Sequence, residues 1–316
     1  MQSRFETWPV VRSKPAPKAH GRSISIFINN MQCHLTTVDV YEDGSINCWG
    51  FVDREIFKKK VQTRWVVPSP KAAQSLSVHN FGFTGITDGT WLQSSESIVT
   101  EVESILRTLN PEMKNLVDME GSETELRGKV HYAKMGLPDG KPYRIDPTDG
   151  QTILGDYVPV LRRMAKGADF ELTRLFAYAD GRLQVGASGD TFEGSDLDAM
   201  FDRGEIANHV PANTCVKLPG LGQFRTVAGF GGVSTGDRIT EVKDLIGVLQ
   251  GGPSLLSRCR AAYADYKRAP SADAADVLRT TYEAVPSHQR MYCGDMDTRD
   301  TEIRHILNHR PGDKPS

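Results

Sequence analysis

Two stretches of the chain alternate apolar and polar residues in the pattern of a β-hairpin. In the first stretch, residues 35–42 and 45–50 flank Asp43-Gly44; in the second, apolar residues on both sides flank Asp180-Gly181. Asp-Gly is typical of a two-residue hairpin turn, because the type I′ conformation needs positive φ at both central positions. The pattern therefore predicts two hairpins of the same design, preceded in the first case by a strand at 23–28.

The two hairpins belong to a longer repeat. Leu35-Thr36 recurs as Leu172-Thr173, 137 positions later (172 − 35), and Thr100-Glu101-Val102 recurs as Thr240-Glu241-Val242, 140 positions later (240 − 100). Short insertions in the second copy account for the change in separation. A register held over most of two segments indicates internal duplication, which determines much of a fold.

The hairpin register predicts where two unusual residues lie. With a two-residue turn, Asp39 would face Cys48 on the more apolar side of the hairpin, which we expect to face the core. Val38 would face Trp49 on the other side. The counterpart of Trp49 in the second copy is Gly186, so the core does not need a large residue there. We therefore expect Trp49 to be covered by another part of the chain or to form part of a binding surface.

Each copy is expected to continue with a short helix and to close with a longer helix, at about 98–109 and 238–249. Carboxylate and hydroxyl side chains favour N-cap positions, because they accept hydrogen bonds from the first amides of a helix. The predicted N-cap residues are Asp53 and Ser195 for the short helices and Ser97 and Asp237 for the long ones.

The predicted fold class is α+β, an internal duplication of a small unit of β-hairpin, mixed sheet and helix, with a C-terminal helical extension. In the extension, residues 254–268, 272–284 and 301–309 are expected to be helices and 288–293 a strand. The predicted domain bounds are 1–23 for a basic N-terminal arm, 24–118 for the first copy, 119–153 for a linker with room for a hairpin, 154–250 for the second copy and 251–316 for the extension.

Composition favours a cytoplasmic protein without a membrane anchor. The 316 residues include 38 basic and 40 acidic ones, so no whole-molecule field draws the chain to a polyanion. Five cysteines without a CxxC pair are typical of a reducing compartment. No run approaches the roughly 18 apolar residues of a membrane helix, and the N-terminus lacks the apolar core of a secretory signal.

The segment from Ile24 to Asp53 contains HLTTVDVYEDGSINCWGFVD. It is similar to an uncharacterised bacterial domain family that carries an HLTT-x-DVY-x-DG-x-x-x-CWG-x-VD signature. The resemblance covers about residues 21–90 and implies a genuine domain and a bacterial origin, with no functional residue attached. The second copy has Val185-Gly186-Ala187 where the signature has Cys48-Trp49-Gly50.

The N-terminal arm is the one distinctly basic stretch. Residues 1–23 hold five basic residues and one acidic residue, together with Trp8. A flexible arm of this kind would bind nucleic acid or an acidic partner through Trp8, Arg12 and Lys14. The alternative is a lead-in whose Trp8 docks on the fold.

The densest acidic cluster is Asp295, Asp297, Asp300 and Glu302. Carboxylate oxygens are the ligands that magnesium prefers, but the spacing fits no calcium loop or phosphoryl-transfer motif. We predict that these residues cap the final helix and pair with nearby arginines, with no metal and no cofactor.

Two functional hypotheses follow. The duplication repeats structure but no acid–base pair, which favours a non-catalytic binding or interaction protein. In this hypothesis a bacterial module acts with a protein partner, as in toxin-neutralising or phage-defence assemblies. The alternative is a metal-dependent hydrolase that cleaves phosphodiesters with the acids of 295–302.

Overall fold

The structure of the chain is a computed structural model that describes residues 4–12, 18–71, 73–118, 140–167, 169–294 and 301–308. These residues form two compact units. The first contains the described residues up to Tyr178 and then Arg182–Gly232; the second contains Ala179–Gly181 and the described residues from Val233 onward.

The first unit contains all the strands of the described residues, three α-helices and a 3-10 turn, Gly194–Asp196. The strands are β1 (Thr7–Arg12), β2 (Ala19–Asn30), β3 (Gln32–Tyr41), β4 (Ile46–Asn47), β5 (Phe51–Val52), β6 (Val66–Val67), β7 (Ser75–Val78), β8 (Gly82–Trp91), β9 (Lys141–Ile145), β10 (Thr152–Arg163), β11 (Phe170–Tyr178), β12 (Arg182–Val185), β13 (Thr191–Glu193), β14 (Ile206–Ala207), β15 (Cys215–Leu218) and β16 (Gly222–Thr226). The helices are α1 (Arg54–Gln62), α2 (Ser95–Leu109) and α3 (Leu197–Asp202).

The predicted α+β class with internal duplication is confirmed, because the same strand pairings occur twice. β2 pairs with β3 as β10 pairs with β11, in both cases antiparallel. β3 then pairs in parallel with β7, as β11 does with β15. β7–β8 and β15–β16 complete each copy as antiparallel pairs. Parallel and antiparallel pairs together make the sheet mixed.

The two copies join at both ends into one closed path of hydrogen-bonded strands. β8 pairs with β16 on one side, and β1 pairs with both β2 and β9 on the other. Because β9 pairs with β10, and β10 with β11, the path returns to its start. The ring runs through β1, β2, β3, β7, β8, β16, β15, β11, β10 and β9.

The predicted two-residue hairpin turns are wrong. Asp39 pairs with Asn47 and not with Cys48, which makes a loop of three residues. Such a loop needs a left-handed residue at its end, and Gly44 has φ +79° there. Gly181 has φ +85° at the same place in the second copy. The one-residue shift moves Asp39 off the side of the hairpin predicted for it.

Strand alternation separates an outer apolar core from the interior of the ring. Ile24, Ile26 and Val38 are fully buried and share one core with Phe57 of α1 and Ile98 of α2. Successive side chains of a strand point to opposite faces. The residues between these apolar positions therefore face the interior of the ring.

The long helices begin three residues earlier than predicted. The hydroxyl of Ser94 accepts from the amide of Ser97 at the start of α2, and Ser234 accepts from Asp237 in the same way. Ser97 and Asp237 are therefore not the N-caps. Asp53 caps α1 as predicted, accepting from the amide of Ile56 at 2.8 Å. Ser195 is not the N-cap of α3, because it lies within the 3-10 turn, Gly194–Asp196, that precedes this helix.

The second unit is helical. Its elements are α4 (Thr235–Leu249), α5 (Leu255–Arg268), α6 (Ala272–Ala284), a 3-10 turn (Ser287–Tyr292) and α7 (Thr301–Asn308). The helices expected in the C-terminal extension are present, whereas the strand predicted at 288–293 is wrong. Cys259, Leu278 and Ile303 belong to one buried cluster in this unit. None of the helices in the described part of the chain has the length and apolar character needed to cross a membrane.

Candidate functional site

A cavity of about 1040 Å³ is lined by the strands of the first unit. Its walls come from both copies and from β1. Its lining includes Trp8, Ser25, Thr37, Asp39, Tyr157 and Arg174.

The polar lining follows from the alternation in β2 and β3. In Ser23-Ile24-Ser25-Ile26 the isoleucines enter the outer core, so the two serines face the cavity. Ser25 pairs with Thr37 across the two strands, which places a second hydroxyl on the same face. The interior of the ring thus offers hydrogen-bonding groups that the apolar core does not use.

A buried, largely aromatic cluster adjoins the cavity through β1. Trp8 and Val10 of β1 form a buried cluster with Tyr41, Phe176 and Tyr178. Trp8 is only 3% exposed and also lines the cavity. The cavity therefore combines hydroxyl groups with aromatic surface, as binding sites for small molecules commonly do.

Glycine positions explain how two of these tyrosines fit. Gly21 lies opposite Tyr41, and Gly155 lies opposite Tyr178. A Cβ atom on either glycine would stand 2.8 Å from the tyrosine ring, closer than van der Waals contact. The Gly–Tyr pair recurs in both copies because each ring covers a glycine on the neighbouring strand.

Asp39 is a buried carboxylate on the cavity wall. It is 6% exposed, and the hydroxyl of Ser23 donates to its Oδ1 at 2.6 Å. A buried carboxylate needs such donors to offset the loss of water. The sequence prediction that Cys48 faces Asp39 is wrong, and Asn47 lies opposite instead.

Arg174 of β11 brings a positive charge into the cavity. Its guanidinium lies 3.7 Å from the ring centroid of Trp8 and 4.9 Å from that of Tyr157. Its Nη2 donates to Ser25 at 3.4 Å, and its Nε is buried without a hydrogen-bond partner. A guanidinium carries five N–H donors, so most of its donors have no bond within the described residues.

Trp49 has an unusual backbone for a large residue. Its φ is +61°, and Gly186 at the same place in the second copy has φ +77°. A residue with a Cβ pays roughly 1–2 kcal/mol for this left-handed conformation. The ring is 49% exposed, lines the cavity and makes edge contacts with His34 and Trp65 at 5.0 and 5.8 Å between centroids. Strain at an exposed aromatic residue is an indication of function.

The prediction of a flexible N-terminal arm is wrong for the residues that the structure describes, because Thr7–Arg12 forms strand β1. Trp8 lies inside the fold rather than on an arm. Arg12 is 5% exposed, and its Nη2 lies 2.6 Å from Oδ2 of Asp43. Its charge is therefore paired within the protein. Lys14 lies outside the described residues.

Three members of the acidic cluster, Asp295, Asp297 and Asp300, also lie outside the described residues. The fourth, Glu302, is in the first turn of α7, where Nζ of Lys267 lies 3.5 Å from its Oε1. Within the part of the chain that the structure describes, no group of three or more His, Cys, Asp or Glu side chains is arranged to hold a metal ion.

Two family models match the chain. A family model described as Domain of unknown function (DUF7638) matches residues 9–113 and 142–253, which is 105 and 112 of the 316 residues. The chain belongs to this family. A second model, Domain of unknown function (DUF7639), matches residues 255–316. The comparisons with curated proteins and with solved structures gave no match. Membership of an uncharacterised domain family is confirmed, while the signature described above stays a prediction.

The two segments matched by DUF7638 correspond to the two copies, but the copies differ at the cavity. Arg174 stands 137 positions after Thr37, and Phe176 stands 137 positions after Asp39. Sequence reasoning missed Arg174 because it sought residues that recur. The signal that could have identified Arg174 is a difference between the copies, because a charged residue stands in one copy where the other has a neutral residue.

Proposed function

We propose that this member of the DUF7638 family is a non-catalytic binding protein whose ligand is a small organic molecule held inside the ring of strands. The observation that carries the proposal is the cavity of about 1040 Å³. Ligand pockets typically have volumes of about 300–1,000 Å³, so this one accommodates a drug-sized or nucleotide-sized molecule.

The chemistry of the wall supports a binding role. Trp8 and Tyr157 offer aromatic surface, while Ser25 and Thr37 offer hydroxyl groups on the same wall. A few placed polar groups among apolar ones are what fixes the orientation of a small ligand. The half-exposed Trp49 lies on the same cavity, where it would contact the ligand.

A protein partner and a bacterial toxin-neutralising or phage-defence setting remain part of the proposal. The exposed ring of Trp49 and the neighbouring Trp65 offer an aromatic surface of the kind enriched at protein interfaces. Nucleic-acid binding through Arg12 finds no support, because Asp43 already pairs with it. No described residue favours the phosphodiester hydrolase.

The test is to fill the cavity. Thr37→Trp places a large ring on the cavity wall. Arg174 is the counterpart of Thr37 in the second copy, so the equivalent position there already carries a long side chain. Ligands are sought by thermal shift with a library of small metabolites, since a ligand at 100 times its Kd adds about 2.7 kcal/mol to the free energy of unfolding. Ser104→Trp, on an exposed position of α2, is the matched control.

We expect ligands of the wild-type protein to lose at least tenfold in affinity in Thr37→Trp and to keep their affinity in Ser104→Trp. Ser25→Leu, a smaller filling change on the opposite residue, should reduce affinity to an intermediate value. Ligands that bind equally to all four proteins would place binding elsewhere and refute the proposal. Circular dichroism checks that each variant is folded.

A further inference from the structure

Among the charged residues that line the cavity, Arg174 has the least complete set of hydrogen-bond and ion-pair partners for its donors within the described residues. It is half-buried on β11, and no carboxylate of the described residues lies within ion-pair distance of it. The one hydrogen bond of its guanidinium within the described residues, to Ser25 at 3.4 Å, is long. A buried guanidinium edge without acceptors is costly, so an acceptor from outside the chain would be stabilised there.

The aromatic neighbours determine how such an acceptor would approach. Trp8 and Tyr157 contact the guanidinium as rings, at 3.7 and 4.9 Å from their centroids. These ring contacts are not hydrogen bonds, so they leave the N–H groups of the guanidinium available to an acceptor. Two parallel N–H donors match the two oxygens of a carboxylate or phosphate.

The other charged groups on the cavity wall already have partners. Lys141 lies 2.8 Å from Asp156. The amide of Ala187 donates to Glu6 at 3.2 Å, and Ser23 donates to Asp39. Lys141 and Asp156 neutralise each other, whereas Glu6 and Asp39 keep their charges as hydrogen-bonded carboxylates. Arg174 is therefore the one cation on this wall without a carboxylate partner among the described residues, and it is the group that would attract an anionic ligand.

We infer that the ligand carries an oxyanion, a carboxylate or a phosphate, bound in the plane of the Arg174 guanidinium, on an aromatic or apolar body that lies against Trp8 and Tyr157. This inference rests on the proposed function, since it names the class of molecule that the cavity takes. Arg174 acts as the specificity-determining residue, and Ser25 holds its Nη2 toward β2.

The experiment compares matched probes that differ in charge. Benzoate and phenyl phosphate carry the oxyanion on an aromatic ring, benzyl alcohol is their neutral analogue, and inorganic phosphate is the anion alone. Binding is followed by ligand-observed NMR and by tryptophan fluorescence in the full chain. The variants are Arg174→Gln, Arg174→Lys, and Arg182→Gln as a control, since Arg182 lies on β12 with 47% of its side chain exposed.

The wild-type protein and Arg182→Gln are expected to bind benzoate or phenyl phosphate at least tenfold more tightly than benzyl alcohol. Arg174→Gln should abolish that preference, and Arg174→Lys should retain part of it, because an ammonium keeps the charge but not the planar pair of donors. The preference of the wild-type protein tests the inference even if Arg174→Gln does not fold.

Two results would overturn the inference. If benzyl alcohol binds as tightly as the anions, and Arg174→Gln changes neither, the cavity does not select an oxyanion, although small-molecule binding itself stands. If none of the probes binds at millimolar concentration, the oxyanion class is refuted, and the Thr37→Trp comparison decides the proposed function separately. Binding of inorganic phosphate that is lost in Arg174→Gln would support the oxyanion site.

Discussion

The ion pair between Arg12 and Asp43 predicts that the two copies of the hairpin differ in their sensitivity to mutation. Both hairpins carry an aspartate next to the left-handed glycine, Asp43 in the first and Asp180 in the second. In the first copy the carboxylate bonds Arg12 at 2.6 Å and the hydroxyl of Ser45 at 2.6 Å. Asp180 is exposed. Equivalent aspartates therefore have different energetic roles.

The expected loss for Asp43→Asn follows from the burial of its partner. Arg12 is 5% exposed, and removing one partner of a buried ion pair costs about 3–5 kcal/mol. The side chain of Asp43 is 28% exposed, and asparagine still accepts from Ser45. Both facts favour the lower end of this range, so we expect Asp43→Asn to lower the free energy of unfolding by about 3 kcal/mol. Asp180→Asn should cost less than about 0.5 kcal/mol, as is usual for an exposed site.

The pH dependence gives a second measurement of the same pair. Burial alone would raise the pKa of Asp43, but hydrogen bonds from Ser45 and the charge of Arg12 outweigh it and lower the pKa below its usual value of 3.8. A carboxylate with a lowered folded-state pKa stabilises the protein above its unfolded pKa. That stabilisation is lost as the pH falls through the folded value, so wild type and Asp43→Asn should converge only below about pH 4.

The assay is urea unfolding followed by tryptophan fluorescence, at pH 7 and at steps down to pH 3. The slope m should stay constant, so that a change in midpoint reports a change in stability. Equal losses in Asp43→Asn and Asp180→Asn would refute the reasoning, because turn geometry would then explain both aspartates. A loss in Asp43→Asn that persists unchanged at pH 3 would also contradict it.

Two further predictions concern packing and burial. Gly155→Ala should destabilise the protein by about 1–3 kcal/mol in the same urea assay, because its Cβ would meet the Tyr178 ring at 2.8 Å; no change would mean that the ring moves aside. Burial raises the pKa of Cys33 and Cys48 to about 12, so iodoacetamide at pH 8 should label the partly exposed Cys215 first. Equal labelling of Cys33, Cys48 and Cys215 in the folded protein would contradict this prediction. Unfolding in urea should abolish the difference in their labelling rates.

Much of the fold could be predicted because its signals are local. An Asp-Gly dipeptide between two apolar stretches predicts a hairpin without reference to the rest of the chain. Asp43-Gly44 and Asp180-Gly181 mark the two hairpins. The helices predicted at 254–268 and 272–284 begin and end within one residue of Leu255–Arg268 and Ala272–Ala284. Their apolar spacing and flanking Ser and Pro residues are contained in the segments themselves.

The closure of the ring was not predictable from the same signals. It depends on β8 pairing with β16 and β1 pairing with β9, contacts between residues far apart in the chain. β8, GFTGITDGTW, contains three glycines and no clear alternation, so its sequence does not indicate a strand. For Trp8 the sequence left two alternatives, a flexible arm or docking on the fold, and the pairing of β1 with the neighbouring β2 shows that the second is correct.

The duplication separates the residues that build the scaffold from those that distinguish the site. Where both copies keep the same residue, as at Gly44 and Gly181, backbone conformation explains it. Where they differ at the cavity, the second copy has Arg174 in place of a neutral hydroxyl, and the first has Trp49 at a left-handed position that suits glycine. Each choice carries a cost for the fold, because one leaves donors without acceptors among the described residues and the other strains the backbone. Each is understandable if a ligand in the cavity supplies what the chain does not, an acceptor for Arg174 and a surface against Trp49.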